Sequence, residues 1–235
     1  MKKVLIAGGT SGMGLATAKL LSERGYSVII LGRNQQRLDE ALKEIGPNAS
    51  GYRSDAMNKE GLEQVLASIG KFDHLVIALS GGKGIGQFKQ LDLADIREGF
   101  EAKFFPQLQT AQAALKFIDE NGSITFITSI SSRSMAIGTA GLGAINGAIE
   151  IMIPTLAKEL QPLRVNGVAP GVVDTSWWDF LPAEQKAERF KQYAAQIPLG
   201  RVGAPKDIAK MIYSFIDNTY LTGQVIAVDG GLSLI

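Results

Sequence analysis

A glycine-rich segment near the N-terminus constrains the fold of this chain more than any other feature. It follows an apolar run at 4–6 and precedes a stretch with helical periodicity at 15–24. In such a strand–turn–helix unit Gly8 permits the sharp turn, Gly12 lets a pyrophosphate approach the backbone, and Gly14 lets the helix pack on the strand. Because the first N–H groups of a helix are free and its dipole is positive there, the turn predicts a dinucleotide site. The expected contacts in this turn are Gly8, Thr10, Ser11, Gly12, Met13 and Gly14.

Short apolar runs alternate with longer amphipathic stretches along the chain. Runs that are apolar throughout are typical of strands buried on both faces, so the pattern predicts an α/β fold with a parallel sheet. The predicted strands are 4–6, 28–31, 51–54, 75–79, 124–128, 165–169 and 225–228. The predicted helices are 15–24, 35–45, 59–69, 93–118, 140–160 and 206–216, with Gly25 ending the first. The polar segment 179–196 is interpreted as a helical excursion from the same domain.

Length, net charge and cysteine content limit the size of the fold, the binding partners and the chemistry that are possible for this chain. The 235 residues suffice for one domain with a substantial core, and a net charge of +1 argues against nucleic acid or an acidic membrane as main partner. No cysteine is present, so disulfides, thiolate nucleophiles and cysteine metal sites are excluded. No apolar run resembles a signal peptide or approaches membrane-spanning length. We therefore expect a cytoplasmic protein without a membrane segment, and no carboxylate pair or histidine cluster indicates a metal.

Several motifs follow the predicted strands in a fixed order. They are Leu-Gly-Arg-Asn at 31–34, Ser-Asp-Ala at 54–56, Arg-Val-Asn-Gly-Val-Ala-Pro-Gly at 164–171, Ile-Pro-Leu-Gly-Arg-Val-Gly at 197–203 and Val-Asp-Gly-Gly at 228–231. With the glycine turn, this order resembles the short-chain dehydrogenase/reductase family over nearly the whole chain. The resemblance implies a single Rossmann-like doubly wound domain over 1–235, with a seven-stranded parallel sheet, helices on both faces and a substrate lid at about 175–197. It also implies hydride transfer between a nicotinamide cofactor and a carbonyl or alcohol.

The residues after the second predicted strand indicate which dinucleotide is preferred. A carboxylate there would bind a ribose 2′-hydroxyl and repel a 2′-phosphate, but this chain has Arg33 and Asn34. The charged planar fork of an arginine suits a phosphate, so we expect NADP(H) rather than NAD(H). A solvated arginine at a helix start is the alternative. The resemblance implies further cofactor contacts from Asp55, Ala56, Ser80, Gly81, Pro170, Gly171, Val173 and Thr175.

The segment after the fourth predicted strand departs from the family. The usual Asn-Asn-Ala-Gly is replaced by Ala-Leu-Ser-Gly-Gly at 78–82, so we expect the asparagine hydrogen bonds that brace the central strand to be missing. Lys83 follows this loop. It could face a phosphate or substrate, but an exposed loop lysine is the favoured interpretation.

The family's catalytic residues are only partly present. The resemblance implies that a tyrosine transfers the proton, a lysine holds the ribose and lowers the tyrosine pKa, and a serine binds the substrate oxygen. Ser129 matches the serine, whereas Leu142 occupies the tyrosine position and Asn146 the lysine position. No tyrosine occurs between Tyr52 and Tyr193, so a shift in register does not restore one. The ordinary mechanism therefore lacks its titratable proton donor.

A second exchange offers a compensation. Lys103 stands where the family has an asparagine, so the lysine and asparagine types are exchanged between two helices. Pro106 predicts an irregular helix here that frees the carbonyl of Ala102 for a water or for the Lys103 ammonium. We hypothesise that Ser129 binds the developing alkoxide and that Lys103 supplies positive charge and the proton. The alternatives are a Lys103 that extends from an oligomer interface and a Ser129 that only caps backbone groups.

The remaining predictions concern the substrate, partners and alternatives. Trp177 and Trp178 form an aromatic lid that suits an apolar or aromatic substrate, unless they anchor the lid to its own domain or to another subunit. The predicted helix 140–160 is apolar around much of its circumference, and the resemblance implies a homodimer or homotetramer. His74 is expected to be structural and Arg133 to face solvent. The alternative function is a catalytically inactive NADP(H)-binding sensor, scaffold or partner subunit.

Overall fold

The computed structural model describes residues 1–234 as a parallel sheet covered by helices on both faces. The strands are β1 (Lys3–Ala7), β2 (Ser27–Gly32), β3 (Ala49–Arg53), β4 (Phe72–Ile77), β5 (Ile118–Ile127), β6 (Arg164–Pro170) and β7 (Val225–Val228). The helices are α1 (Gly12–Glu23), α2 (Gln35–Ile45), α3 (Lys59–Ile69), α4 (Leu93–Gly99), α5 (Phe105–Ala114), α6 (Ala140–Glu159), α7 (Ala183–Gln196) and α8 (Pro205–Asp217). The predicted α/β fold with a seven-stranded parallel sheet is confirmed.

The strand order places a ligand crevice at the centre of the sheet. The order is β3-β2-β1-β4-β5-β6-β7, and every neighbouring pair is parallel. The chain therefore winds outward in opposite directions from β1 and β4, which are adjacent. In doubly wound sheets ligands bind outside the carboxyl ends of the strands at such a reversal.

The core consists of one apolar layer on each face of the sheet. On one face, residues such as Leu66 and Ile153 place α3, α5 and α6 against the strands. On the other face, helices α1, α2 and α8 pack against the strands through residues such as Leu21, Leu38 and Phe215. Because both faces are covered, apolar runs such as 4–6, 28–31 and 75–77 are buried at every residue, which explains why these runs do not alternate with polar residues.

The predicted helix 93–118 is the main error in the secondary structure. The structure divides it into α4, a π-helical turn at Phe100–Phe104 and α5, and Ile118 belongs to β5, where it pairs with Phe72 of β4. Apolar periodicity continues across these junctions and therefore conceals them. Pro106, which lies in the first turn of α5, removes one helical N–H and marks the irregularity.

Helix α6 is exposed along one side. By length and composition it is the one described helix that could cross a membrane, with a mean hydropathy of 1.3. It nevertheless lies on the sheet, with Ile145, Ile149 and Ile153 buried, while Ile151 on its other side is 75% exposed. Within residues 1–234 only one face of α6 contacts the rest of the fold, so the apolar residues on its outer side are left exposed.

Candidate active site

The glycine turn between β1 and α1 brings backbone segments too close for side chains. A Cβ on Gly14 would lie 2.1 Å from the carbonyl oxygen of Gly8, and one on Gly8 would lie 2.8 Å from that of Ala78. Gly8 also has a φ of 84°, a conformation that side chains disfavour. Glycine is required at both positions, so the start of α1 lies directly against the ends of β1 and β4.

The first turn of α1 has free polar groups that face the loop after β6. Ser11 occupies the capping position, but its exposed hydroxyl makes no capping hydrogen bond. A Cβ on Gly12 would lie 3.4 Å from the side chain of Thr175, so the two loops meet here. Thr10 packs against the end of β2, and Met13 packs on the core below.

The polar side chains that follow β2 and β3 differ in whether they already have a partner within the chain. Arg33 is exposed and forms no ion pair within residues 1–234. The side chain of Asn34 instead caps α2, with Oδ1 accepting a hydrogen bond from the Arg37 N–H at 2.9 Å. Likewise, Asp55 Oδ1 accepts from the Met57 N–H at 3.0 Å. Arg33 therefore keeps its donors available, whereas Asn34 and Asp55 also hold local backbone.

The loop after β6 is held close to the crevice. Pro170 ends β6, and a Cβ on Gly171 would lie 2.7 Å from the side chain of Asp229. Val173 forms an isolated parallel bridge with Gly203. These contacts fix the backbone that leads to Thr175, opposite the glycine turn.

An amide from α5 braces the ends of the central strands. Gln107 Nε2 donates to the Leu79 carbonyl at 2.7 Å and to the Ile127 carbonyl at 3.2 Å. The asparagines of the family pattern are replaced here, and a glutamine from another element supplies a bracing of the strand ends that the sequence did not predict. The sequence offers no signal that separates Gln107 from the two other glutamines of α5. Its Oε1 is buried and has no partner within residues 1–234.

The β4 loop packs against the helices next to it. A Cβ on Gly81 would lie 3.0 Å from Ala102 Cβ, so the loop lies directly on the π-helical turn. Ser80 is exposed. On the neighbouring loop, the carbonyl of Ala56 accepts a hydrogen bond from Gln109 Nε2 at 2.6 Å. The predicted contact residues of both loops therefore lie at the same edge of the sheet.

Lys103 projects inward from the π-helical turn and is buried, with 8% of its surface exposed. Its Nζ donates to Asn146 Oδ1 at 2.7 Å and to the Thr128 carbonyl at 3.1 Å. The two exchanged residue types are thus in direct contact. Of the two partners predicted for the Ala102 carbonyl, a water or the Lys103 ammonium, the ammonium is not the one, because it donates to the Thr128 carbonyl just after β5 instead.

A partly buried carboxylate, that of Glu150, acts on this ammonium through its charge. Burial lowers the pKa of Lys103 to about 8, and the charge of Glu150 acts in the opposite direction. Glu150 accepts hydrogen bonds from Thr128 Oγ1 at 2.8 Å and from Arg133 Nη2 at 2.6 Å. Arg133 therefore pairs with Glu150 rather than facing solvent alone. Sequence reasoning missed Glu150, which follows Asn146 by one helical turn.

Asn146 joins the lysine to the loop after β5. Its Nδ2 donates to the Leu142 carbonyl at 2.9 Å and to Ser131 Oγ at 3.2 Å. Ser129 lies at the start of the short turn that contains Ser131, and its Oγ accepts from the Ser131 N–H at 3.2 Å. The structure thus brings Lys103, Asn146 and the serine loop together, while Leu142 contributes a backbone carbonyl. Ser131 was not singled out from the sequence, where it is one of several serines in the loop.

The two tryptophans have different surroundings. Trp178 packs edge-on against two rings of α7, with ring centroids 5.5 Å from Phe190 and 5.9 Å from Tyr193. It therefore holds the two parts of the lid, the turn at 176–178 and helix α7, against each other. Trp177 reaches across the crevice, and its Nε1 donates to the Gly81 carbonyl at 3.2 Å. The lid therefore contacts the β4 loop beside the Lys103 turn.

Two other singled-out residues lie outside this network. Lys83 is exposed and ion-paired with Asp95 and Glu98 at 3.1 and 3.3 Å. His74 is buried within β4, with Nδ1 2.9 Å from Ser123 Oγ. Within residues 1–234, no group of three side chains that could hold a metal is present.

The doubly wound sheet and the glycine turn at its reversal define a Rossmann-like nucleotide-binding fold. A sequence profile described as "Enoyl-(Acyl carrier protein) reductase" matches residues 7–233. The chain is 30% identical to a 3-oxoacyl-[acyl-carrier-protein] reductase of Mus musculus, covering 99% of this chain and 98% of that one. It is 31% identical to carbonyl reductase family member 4 of Xenopus laevis, covering 100% and 99%.

A solved small-chain dehydrogenase in complex with NADPH is similar in structure as well. Its TM-score is 0.85 at 28% identity, and the match covers 100% of this chain and 99% of that one. The chain belongs to the short-chain dehydrogenase/reductase family.

Proposed function

We propose that the protein is a cytoplasmic NADP(H)-dependent oxidoreductase that interconverts a carbonyl compound and an alcohol. Membership of the family supports the reaction class, and the reductase relatives support the direction of carbonyl reduction. NADPH, when bound, supplies the hydride. The chain must then bind the cofactor, orient the substrate and stabilise the negative charge that develops on the substrate oxygen.

The free groups around the crevice fit a dinucleotide. The backbone at the start of α1 is open because no Cβ fills the glycine turn, and helix N-termini favour phosphates. Ser11 and Thr175 add hydroxyls beside it. Gly81, Pro170 and Val173 line the adjoining loops. These residues would hold the pyrophosphate and the nicotinamide half.

The preference for NADP(H) rests on Arg33. Its guanidinium is exposed after β2 and has no acidic partner within the described residues. A 2′-phosphate would supply that partner, and arginine binds phosphate through paired charged donors. The NADPH complex of the similar dehydrogenase supports the same preference.

The contact between Lys103 and Asn146 carries the proposal for catalysis. At 2.7 Å it places an ammonium beside the position at which the family has its lysine. Two of the three N–H groups of Lys103 have acceptors, and the pKa of about 8 lets the group exchange its proton near neutral pH. Lys103 therefore stabilises the developing alkoxide and is the source of its proton, directly or through water.

The second candidate function is an NADP(H)-binding sensor, scaffold or partner subunit without turnover. It is favoured by Leu142, which has no titratable group at the family's tyrosine position. Under either function we propose a homodimer or homotetramer, because the outer side of α6 exposes Ile151. Only the first function requires NADPH oxidation.

The decisive experiment compares NADPH binding with NADPH oxidation. The wild-type protein is offered benzylacetone, menadione and phenylglyoxal, and NADPH consumption and product are both measured. Lys103→Met should lower kcat at least about a hundredfold and leave the Kd of NADPH within about threefold. Lys116→Met is the matched control, because Lys116 is exposed and distant from the crevice. Unchanged turnover in Lys103→Met refutes the lysine role, and tight NADPH binding without any turnover favours the sensor.

A further inference from the structure

The hydrogen bonds of Asn146 have a fixed direction. A lysine ammonium only donates, so the atom that faces Lys103 Nζ at 2.7 Å must be the amide oxygen. The amide nitrogen therefore points the other way, to the Leu142 carbonyl and to Ser131 Oγ. Because an amide NH₂ only donates, Ser131 Oγ must be the acceptor in this contact.

This direction leaves the proton of Ser131 free. Within residues 1–234 its Oγ accepts from Asn146 and donates to no protein group. The chain of donors thus runs from Lys103 through Asn146 to Ser131, and each bond polarises the next. Ser131 is half-buried, so its hydroxyl remains accessible to a ligand. Ser129 is not connected to Lys103 by such a series of hydrogen bonds. Its Oγ accepts from the Ser131 N–H and so stabilises the turn.

Ser131 lies in the wall of an open groove of about 600 Å³. The groove runs between the loops after β4 and β5, and its apolar walls include Phe88, Met135 and Ile137. These three side chains are 75%, 92% and 89% exposed. Large apolar side chains grouped around a concave surface indicate a binding site, and the volume suits a ligand of drug-like size.

We propose that Ser131, rather than Ser129, donates the hydrogen bond to the reacting oxygen of a carbonyl substrate whose apolar body lies in this groove. The inference rests on the proposed function and adds a substrate class and a catalytic residue to it. No covalent bond forms at Ser131. The hydride comes from the bound cofactor and the proton from Lys103 or water, while the Ser131 hydroxyl stabilises the oxyanion in between.

The proposal separates two kinetic effects. Ser131 touches the oxygen on which charge develops, so its loss should mainly lower kcat, by about a hundredfold as for other oxyanion donors. Phe88 touches only the body of the substrate. Phe88→Ala should therefore raise the KM of benzylacetone and leave the KM of acetone, which has no apolar body, within about twofold.

The test uses Ser131→Ala, Ser131→Thr, Ser129→Ala and Ser134→Ala with NADPH and benzylacetone. Ser134 is the matched control, because it lies in the same loop but not in the groove wall. We expect Ser131→Ala to lose about a hundredfold in kcat, Ser131→Thr to recover part of it, and Ser134→Ala to match wild type. Ser129→Ala should lose less than Ser131→Ala.

A spectroscopic measurement distinguishes a donor from a structural serine. With NADP⁺ and benzylacetone bound, the infrared carbonyl stretch of the ketone should move to higher wavenumber in Ser131→Ala and stay unchanged in Ser134→Ala. An unchanged stretch and kcat in Ser131→Ala, with both altered in Ser129→Ala, overturn the inference and leave the proposed function intact. If the wild-type protein binds NADPH but reduces no carbonyl compound, the proposed function fails and the inference falls with it.

Discussion

The buried ammonium of Lys103 predicts an unusual dependence of stability on pH. Burial lowers the pKa of Lys103 in the folded protein from 10.5 to about 8. Between these values the unfolded chain binds a proton that the folded chain lacks, so the free energy of unfolding rises with pH. At about 1.36 kcal/mol per pKa unit, the shift corresponds to about 3 kcal/mol. This contribution is fully present above the unfolded pKa and is lost as the pH falls through about 8.

Lys103→Met removes the titration and keeps a long apolar side chain. It also leaves Asn146 Oδ1 and the Thr128 carbonyl without their donor, which costs about 1–3 kcal/mol for each group but does not vary with pH. Urea denaturation of both proteins between about pH 7 and about pH 9.5 isolates the pH-dependent part. The stability of wild type minus that of the variant should rise by about 2 kcal/mol over this range.

A matched variant guards against other titrating groups. Lys116→Met changes an exposed lysine that is 3.8 Å from Glu63, so its difference from wild type should stay flat over the same range. Since all other groups are common to the proteins, they cancel in each difference. A flat curve for Lys103→Met as well would mean that the ammonium is solvated, and it would remove the electrostatic basis of the proposed mechanism.

Four further variants have distinct expected results. Arg33→Glu should raise the Kd of NADPH at least about tenfold and that of NADH less than about threefold, by fluorescence titration, since only NADPH carries the 2′-phosphate. Gly14→Ala should lower the free energy of unfolding by more than about 2 kcal/mol, because its Cβ would meet the Gly8 carbonyl, whereas Gly147→Ala in α6 should raise it by about 0.5–1 kcal/mol. Burial lowers the pKa of His74 to about 4, so wild type should lose up to about 3 kcal/mol between about pH 6.5 and pH 4, and His74→Gln should lose less.

The features that the sequence predicted correctly depend on local patterns. Apolar runs and glycine positions report burial and backbone conformation within a few residues, so the sheet and the turn at Gly8 could be predicted. The prediction of one continuous helix over 93–118 was wrong because the apolar periodicity of the sequence persists across the π-helical turn. Gln107 and Ser131 could not be predicted, since a buried amide or hydroxyl takes its role from partners on other elements. Lys103 could be singled out because two separated family motifs depart from their pattern in opposite ways: one has a lysine in place of asparagine, and the other has Asn146 in place of lysine.

The departures from the family pattern at positions 103, 142 and 146 are best understood as one change. By resemblance, the family's lysine lowers the pKa of the adjacent tyrosine, and both lie on the same helix. Here the ammonium comes from the π-helical turn, and Asn146 stands between it and the Leu142 carbonyl. A tyrosine at position 142 would therefore lack an ammonium on its own helix, and without one a tyrosine keeps a pKa near its usual value of about 10, too high to exchange a proton efficiently at neutral pH. Under the mechanism we propose, moving the charge removes the reason for the tyrosine, and the Ser131 hydroxyl, polarised through Asn146, binds the substrate oxygen instead.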